Sequence, residues 1–415
     1  MEINEETENL GFKFLTLFLA AYLFAIVANT VSVPLITLYG IESNYGAKII
    51  GYIIAIVGIS RFIFSFFLGW MGDYFGHKRV YFIGFLLFFI SSILFISSNF
   101  LSLVYLARIM QGLALGAIAI SSQSIIAHAS SGLQSKKLIA KTNSIQNIGM
   151  VIGPASASFF TEIIGVKSSI MLVAVVALMG AVTTFFMPFK DKKIDKEEKI
   201  NINKLRLMFG LREFNTIWSN PIIKYTIMMN SFIFAVIGAW LTLWPFFLKG
   251  TLGLSSSNVS LFYAIYPIGG IFVGPIFGKK IGNQNSMPLF LMATAFTLLP
   301  PFAILLHVEN IMVYGLLVMF SGISGSIYFI LHGYNINKHL PRSQFGALLG
   351  KINAFSWLFN AAAASTIGIV IHHLGIIVAS IFYVLLVLVH CFFGIMVFKR
   401  VNDKTSALGF HATSK

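Results

Sequence analysis

Arg61 and Arg108 are permanent charges set inside long apolar runs of the chain. At the centre of a membrane helix each would cost about 2.5–3.5 kcal/mol. A cation held at that cost can bind an anionic group of a ligand, set the field around a proton site, or bond to backbone carbonyls as a structural element. Arg61 lies about eight residues before Gly69, or about 12 Å along a helix at 1.5 Å per residue, too deep for easy snorkelling. Arg108 is nearer the end of its run, where its head can reach the interface. A second group, Gly69, Asp73, Gly76, Lys78 and Arg79, falls between the second and third apolar runs. Asp73 can meet the positive end of a neighbouring helix or a basic partner. Gly69 allows close helix approach, Gly76 a tight turn, and Lys78 and Arg79 hold the loop on the cytoplasmic side. The same loop can equally do no more than set topology, with an incidental aspartate.

Neutral polar residues recur at helical spacing within the runs. Asn143, Gln146 and Asn147 share one face of the fifth, as Asn353, Trp357 and Asn360 do on the eleventh. Asn29 and Thr30 in the first, Gln123 in the fourth, Asn230 in the seventh and Tyr266 in the eighth can join them. Together they describe a neutral to mildly cationic, aromatic-rich pocket. Each can equally be interhelical glue, worth about 0.6 kcal/mol on average. Acidic residues fall in tails, linker and loops, with Glu162 at the outer end of the fifth helix the nearest exception. If protons are coupled, His128 and His332 are the candidates, because imidazole switches near neutral pH. Cys391 is the single cysteine, so no disulfide forms within the chain and no cysteine zinc site exists. His372 and His373 are adjacent on a loop without carboxylate company, a poor metal site. No phosphate loop is present. No metal and no cofactor is expected, and the chemistry is not that of an enzyme.

These residues need a frame, and composition supplies it. The 415 residues are 57% hydrophobic and 10% charged, against about 25% charge in a soluble domain. The chain is therefore an integral membrane protein. About twelve apolar runs are long enough to span a bilayer. Met1–Glu8 is acidic rather than basic, so the first run reads as a span and not as a cleaved leader. Basic residues gather on one side of the spans, while the outer segments hold only Lys48, Lys167 and Lys249. Both termini are thus expected in the cytoplasm, and the basic patches read as topology rather than as a nucleic-acid surface. The expected organisation is a six-helix bundle over 1–188, a polar linker with an amphipathic helix over 189–221, a second six-helix bundle over 222–400, and a tail over 401–415. A weak repeat, Gly274 to Gly282, follows the eighth run as Gly69–Arg79 follows the second, with glycines and a basic pair but no aspartate.

The loop at Gly69–Arg79 resembles the loop signature of the major facilitator superfamily, and the resemblance implies a gating role for Gly69, Asp73, Gly76, Lys78 and Arg79. Arg108-Ile109-Met110-Gln111-Gly112 resembles that family's R-x-x-Q-G pattern. Gly149 to Gly153-Pro154 resembles the G-x-x-x-G-P pattern of its drug/proton antiporters, although Ala155, Ser156 and Ala157 replace the glycines usual after the proline. The resemblance implies an all-α membrane fold of twelve helices in two pseudo-symmetric bundles. It implies a secondary transporter of a bacterial-type inner membrane, working by alternating access. Its leading mode is proton-coupled export of a small amphiphilic molecule. Uptake or export of an anionic metabolite or siderophore-like molecule, which Arg61 favours, is the second. A transport-dead sensor is the alternative of another class. The expected partners are a small-molecule substrate, protons and lipid, with no nucleic acid, and the chain is expected to be a monomer.

Overall fold

An apolar run in lipid has to satisfy its own backbone, and a helix does so within one segment. The computed structural model describes the backbone of residues 5–98, 100–129, 132–189, 221–271, 273, 276, 287–339 and 345–412. Helices run as α1 (Glu5–Glu42), α2 (Ala47–Phe75), α3 (His77–Ile96), α4 (Leu101–Ala129), α5 (Gly132–Ile164) and α6 (Val166–Phe186). They continue as α7 (Pro221–Pro245), a π-helical turn (Phe246–Thr251), α8 (Ser256–Ile271), α9 (Met287–Leu305), α10 (Ile311–His339) and α11 (Phe345–Ala412). Among the described residues ten helical segments are long and apolar enough to cross a membrane, the last running from Ile352 to Arg400. That last one is two spans in series, since Gly375 breaks it with φ 82°. The amphipathic helix expected near 200–214, and the repeat at Gly274 to Gly282 apart from Ile276, lie outside the described residues.

Helix ends depart from the apolar runs in two places. The stretch Gly69–Arg79 is not an extended loop: α2 continues through Asp73 to Phe75, and Gly76 alone turns the chain into α3. Its φ of 97° is a conformation that a side chain rarely tolerates, so the helix stops there. Likewise α5 begins at Gly132, well before its apolar part, because Lys136, Lys137 and Lys141 are good helix formers.

The chain forms two compact units, Met1–Lys199 with Trp244–Ala264, and Ile200–Leu243 with Ile265–Lys415. In the first, α1 packs against α5 and α6, α3 against α4 and α6, and α2 against α4. In the second, α9 packs against α10 and α11. Helix α6 shows how the packing works. Its buried stripe carries Ser169, Ala174, Ala177, Gly180 and Ala181 beside Ile170, Val173 and Val176, while Met171, Val175, Leu178, Val182 and Phe185 are exposed. Apolar side chains on the outer face and small residues interleaved on the inner one suit a helix wetted by lipid and packed at close range.

Candidate functional site

The most connected polar group of the first unit centres on Arg108, buried at 7% exposure. Its Nε donates to the carbonyl of Ile53 in α2 at 2.9 Å, and its Nη1 donates to Oε1 of Gln111. Gln111 Nε2 donates to Ser32 Oγ at 2.9 Å, and Ser32 Oγ donates to the carbonyl of Asn29 at 2.7 Å. One chain of bonds therefore joins α4, α2 and α1. Gly112 makes it possible: a Cβ there would stand 2.6 Å from Ser60 Cβ and 2.7 Å from the Val57 carbonyl oxygen. The space beside Ser32 and Gln111 is about 10 Å³, at the limit for one water, so these bonds work in a dry setting where they are strong. The end-of-run position of Arg108 pointed to snorkelling. Instead the side chain turns inward, because α2 offers an acceptor at contact distance.

A second seam joins α5 to α1. Thr30 Oγ1 donates to the carbonyls of Ile26 at 2.8 Å and Gly149 at 3.1 Å. A Cβ on Gly153 would fall on the Thr30 side chain, and one on Gly149 would meet Ile26 Cγ2 at 2.8 Å. Pro154 follows within α5. Toward the other end of the seam, Tyr22 Oη donates to Gln146 Oε1 at 3.3 Å, with Asn147 half-buried next to it in sequence. Gln123 is exposed on α4, and Arg61 is half-buried on α2 with its carbonyl accepting from Ser65. Lys78 is half-buried and Arg79 exposed at the start of α3. Gly69 lies within α2, and the side chains of Asp73, His128 and Asn143 lie outside the described residues.

In the second unit, Asn230 of α7 donates to Ser356 Oγ at 2.5 Å and Asn360 of α11 donates to the Phe234 carbonyl at 3.0 Å. Gly238 lets the Asn360 backbone approach α7 more closely than any Cβ would allow. Trp357 meets Phe234 edge-on at 5.1 Å between ring centroids, and Trp240 meets Tyr266 at 5.2 Å. Asn353 is half-buried one turn before Trp357. Asn230 and Asn360 thus hold helices together, while Trp240, Tyr266 and Trp357 keep half-buried rings suited to an aromatic ligand surface.

Sequence reasoning missed one cluster in the first unit. Lys249, on the π-helical turn, pairs with Glu42 at the end of α1 at 2.7 Å, and also donates to Ser256. Ser256 donates to the same Glu42 carboxylate at 2.6 Å. Nearby, Ser257 donates to Glu162 of α5 at 3.2 Å and lies 3.0 Å from Ser158 Oγ. Glu42, Glu162, Ser256 and Ser257 border a cavity of about 390 Å³. The signal was present in the sequence: Glu42, Glu162 and Lys249 are charges at span ends where charges are sparse. What was missing was the contact across more than two hundred residues. Among the described residues no group of three or more metal-ligating side chains comes together.

The family profile of the Major Facilitator Superfamily matches residues 18–364. The chain is similar to Multidrug resistance protein 2 of Bacillus subtilis (strain 168), 24% identical over 250 residues, covering 59% of this chain and 62% of that protein. It is also similar to Quinolone resistance protein NorA of Staphylococcus aureus (strain MRSA252), 26% identical over 206 residues, covering 45% and 53% of the two chains. It thus spans about half to three fifths of the length of these relatives. A crystal structure of the nucleoside transporter NupG superposes with a TM-score of 0.71 at 15% identity, covering 93% of this chain and 99% of that one. At that identity the likeness is one of fold.

Proposed function

Because the chain belongs to the major facilitator superfamily, we propose that it is a secondary active transporter, exporting a small amphiphilic molecule from the cell in exchange for protons by alternating access. Residues 1–188 and 222–400 are its two bundles, both termini are cytoplasmic, and the membrane is the inner one. The observation that carries this reading is the dry bonded chain from the Ile53 carbonyl through Arg108 and Gln111 to Ser32. It ties three helices into one body, as a bundle that moves as a unit requires. The glycine seam of α5 and α1 belongs to the same body. The half-buried rings of Trp240, Tyr266 and Trp357 offer faces to a planar or amphiphilic substrate. The resistance proteins of similar sequence fit export. An anionic metabolite is the second reading, favoured by Arg61, a half-buried cation within a membrane helix.

The test is flux in sealed everted vesicles carrying the full chain, under an imposed proton gradient, with a panel of amphiphilic dyes and anionic metabolites. Uptake of at least one dye that collapses with the gradient is expected. Gradient-dependent uptake confined to the anions would favour the second reading. No flux for any compound, together with no thermal stabilisation of the purified protein by the same panel, would leave a sensor with a transporter's fold.

A further inference from the structure

His390 of α11 is buried at 1% exposure. Phe290 of α9 lies 5.5 Å from it and Tyr328 of α10 stands edge-on at 4.5 Å, between ring centroids. Its Nδ1 is 3.0 Å from the carbonyl oxygen of Met229 in α7. A carbonyl only accepts, so Nδ1 carries the hydrogen, and in the neutral ring Nε2 presents a bare lone pair. That lone pair meets no hydrogen-bond partner among the described residues. His332 follows Tyr328 by one helical turn on the same face of α10. Its Nδ1 is likewise buried with no partner among the described residues. The two imidazoles lie within electrostatic reach of each other.

A core that needed only volume here would hold Phe or Leu, since an unmet buried polar atom costs about 1–3 kcal/mol. We infer that His332 and His390 form a single proton-binding site inside the second unit. The inference rests on the proton-coupled reading above and supplies the group that reading lacks, because the membrane spans carry no carboxylate at mid-depth. One proton is taken up by the pair, and the charge it brings to one ring opposes a second proton on the other. Among the described residues the groups facing the pair are few. Tyr328 donates its hydroxyl to Thr294 of α9 at 2.9 Å. Cys391 and Tyr383 of α11 act on Tyr328, and α7 contributes the Met229 carbonyl. None of these is a carboxylate, a lysine or an arginine. The neutral pair therefore suits this dry packing, whereas the charged pair needs water. Proton uptake is thereby tied to whichever conformation hydrates the site, which is how a bound proton biases one state over another.

The test uses the full chain labelled with ¹⁵N-histidine in lipid nanodiscs, titrated from about pH 8 to about pH 5, with ring nitrogen shifts read by solid-state NMR. The chain has 9 histidines, and His390→Gln and His332→Gln assign the lines. At the alkaline end a neutral Nδ1–H ring is expected for His390. On acidification one imidazolium should appear for the pair while the other ring stays neutral, and the ring left in each single variant should titrate in one simple step, free of that opposition. Two imidazolium signals titrating independently, or none by the acid end, would overturn the pair, and the wild-type titration alone shows either. Coupling is read separately in proteoliposomes loaded with a pH dye, with ethidium and an anionic metabolite mixture as probes. Normal titration without proton movement would sink the coupling reading and leave the site. Proton movement with silent histidines would do the reverse.

Discussion

Arg108 shows what a single residue does in this protein. Its guanidinium serves two acceptors at once, the Ile53 carbonyl and the Gln111 amide, and both are buried. Removing it strands them, at about 1–3 kcal/mol for an unmet buried group. Arg108→Gln is therefore expected to lower the thermal unfolding midpoint in detergent clearly. Arg108→Lys, which keeps the charge but not the planar fork, should fall between it and the wild type. A glutamine variant as stable as the wild type would show that the bonded chain contributes nothing. Arg108 and Gln111 were legible in the sequence, since a cation in an apolar run is conspicuous and a glutamine three residues on shares its face. Their partners were not. Ile53 contributes only its backbone, which every residue has, and Ser32 is one serine among many. His390 was illegible for a related reason: it sits in the most apolar of the described spans, and only three-dimensional packing shows that one of its nitrogens has no partner among the described residues.

At the level of the helix, small residues decide which elements touch. Positions of the spans could be read from apolar runs alone, because lipid leaves the backbone little choice. Helix ends could not, since polar residues such as Lys136 and Lys141 extend helices past the membrane. The seam between α1 and α5 was legible as Gly149, Gly153 and Pro154, although its partner Thr30 had been read as a pocket residue. Here a methyl group is enough to test the packing. Gly153→Ala would press on Thr30, whose hydroxyl holds the Gly149 carbonyl, and on the Val27 carbonyl, whereas Gly149→Ala meets only the apolar side chains of Ile26 and Leu23. Overpacking costs about 1–3 kcal/mol, so Gly153→Ala should be the more destabilised, and Gly153→Leu should lose most of its flux. Equal stability of the two alanine variants, with full flux from Gly153→Leu, would mean that the seam is not closely packed in the working protein.

For the whole molecule the telling feature is the cluster of Glu42, Glu162, Lys249, Ser256 and Ser257. It fastens the segment Trp244–Ala264, from the second half of the sequence, to α1 and α5 of the first. Under the proposed topology this is the outward end. In the proposed export cycle that end opens once per turnover, which calls for a fastening that is specific yet weak. Its energetics suit the task. Lys249 and Glu42 are 23% and 42% exposed, beside a cavity large enough for water, and such pairs are worth about 0–1 kcal/mol. Breaking the pair should therefore barely change stability while shifting the balance between closed and open forms. The reporter is Thr161, 7% exposed and lining the same cavity. Its hydroxyl has no partner among the described residues, so Thr161→Cys loses no bond, and Cys391→Ser removes the native thiol. Intact cells are treated with a membrane-impermeant maleimide. In a Lys249→Met background the new cysteine should label about threefold faster or more, and Glu42→Gln should act in the same direction. Joining Glu42→Lys with Lys249→Glu should restore slow labelling by rebuilding the pair with its signs exchanged. Labelling that is fast in every background, or slow in every one, would show that this cluster does not hold the outward end. Labelling seen only from the cytoplasmic face would reverse the topology on which the assignment depends.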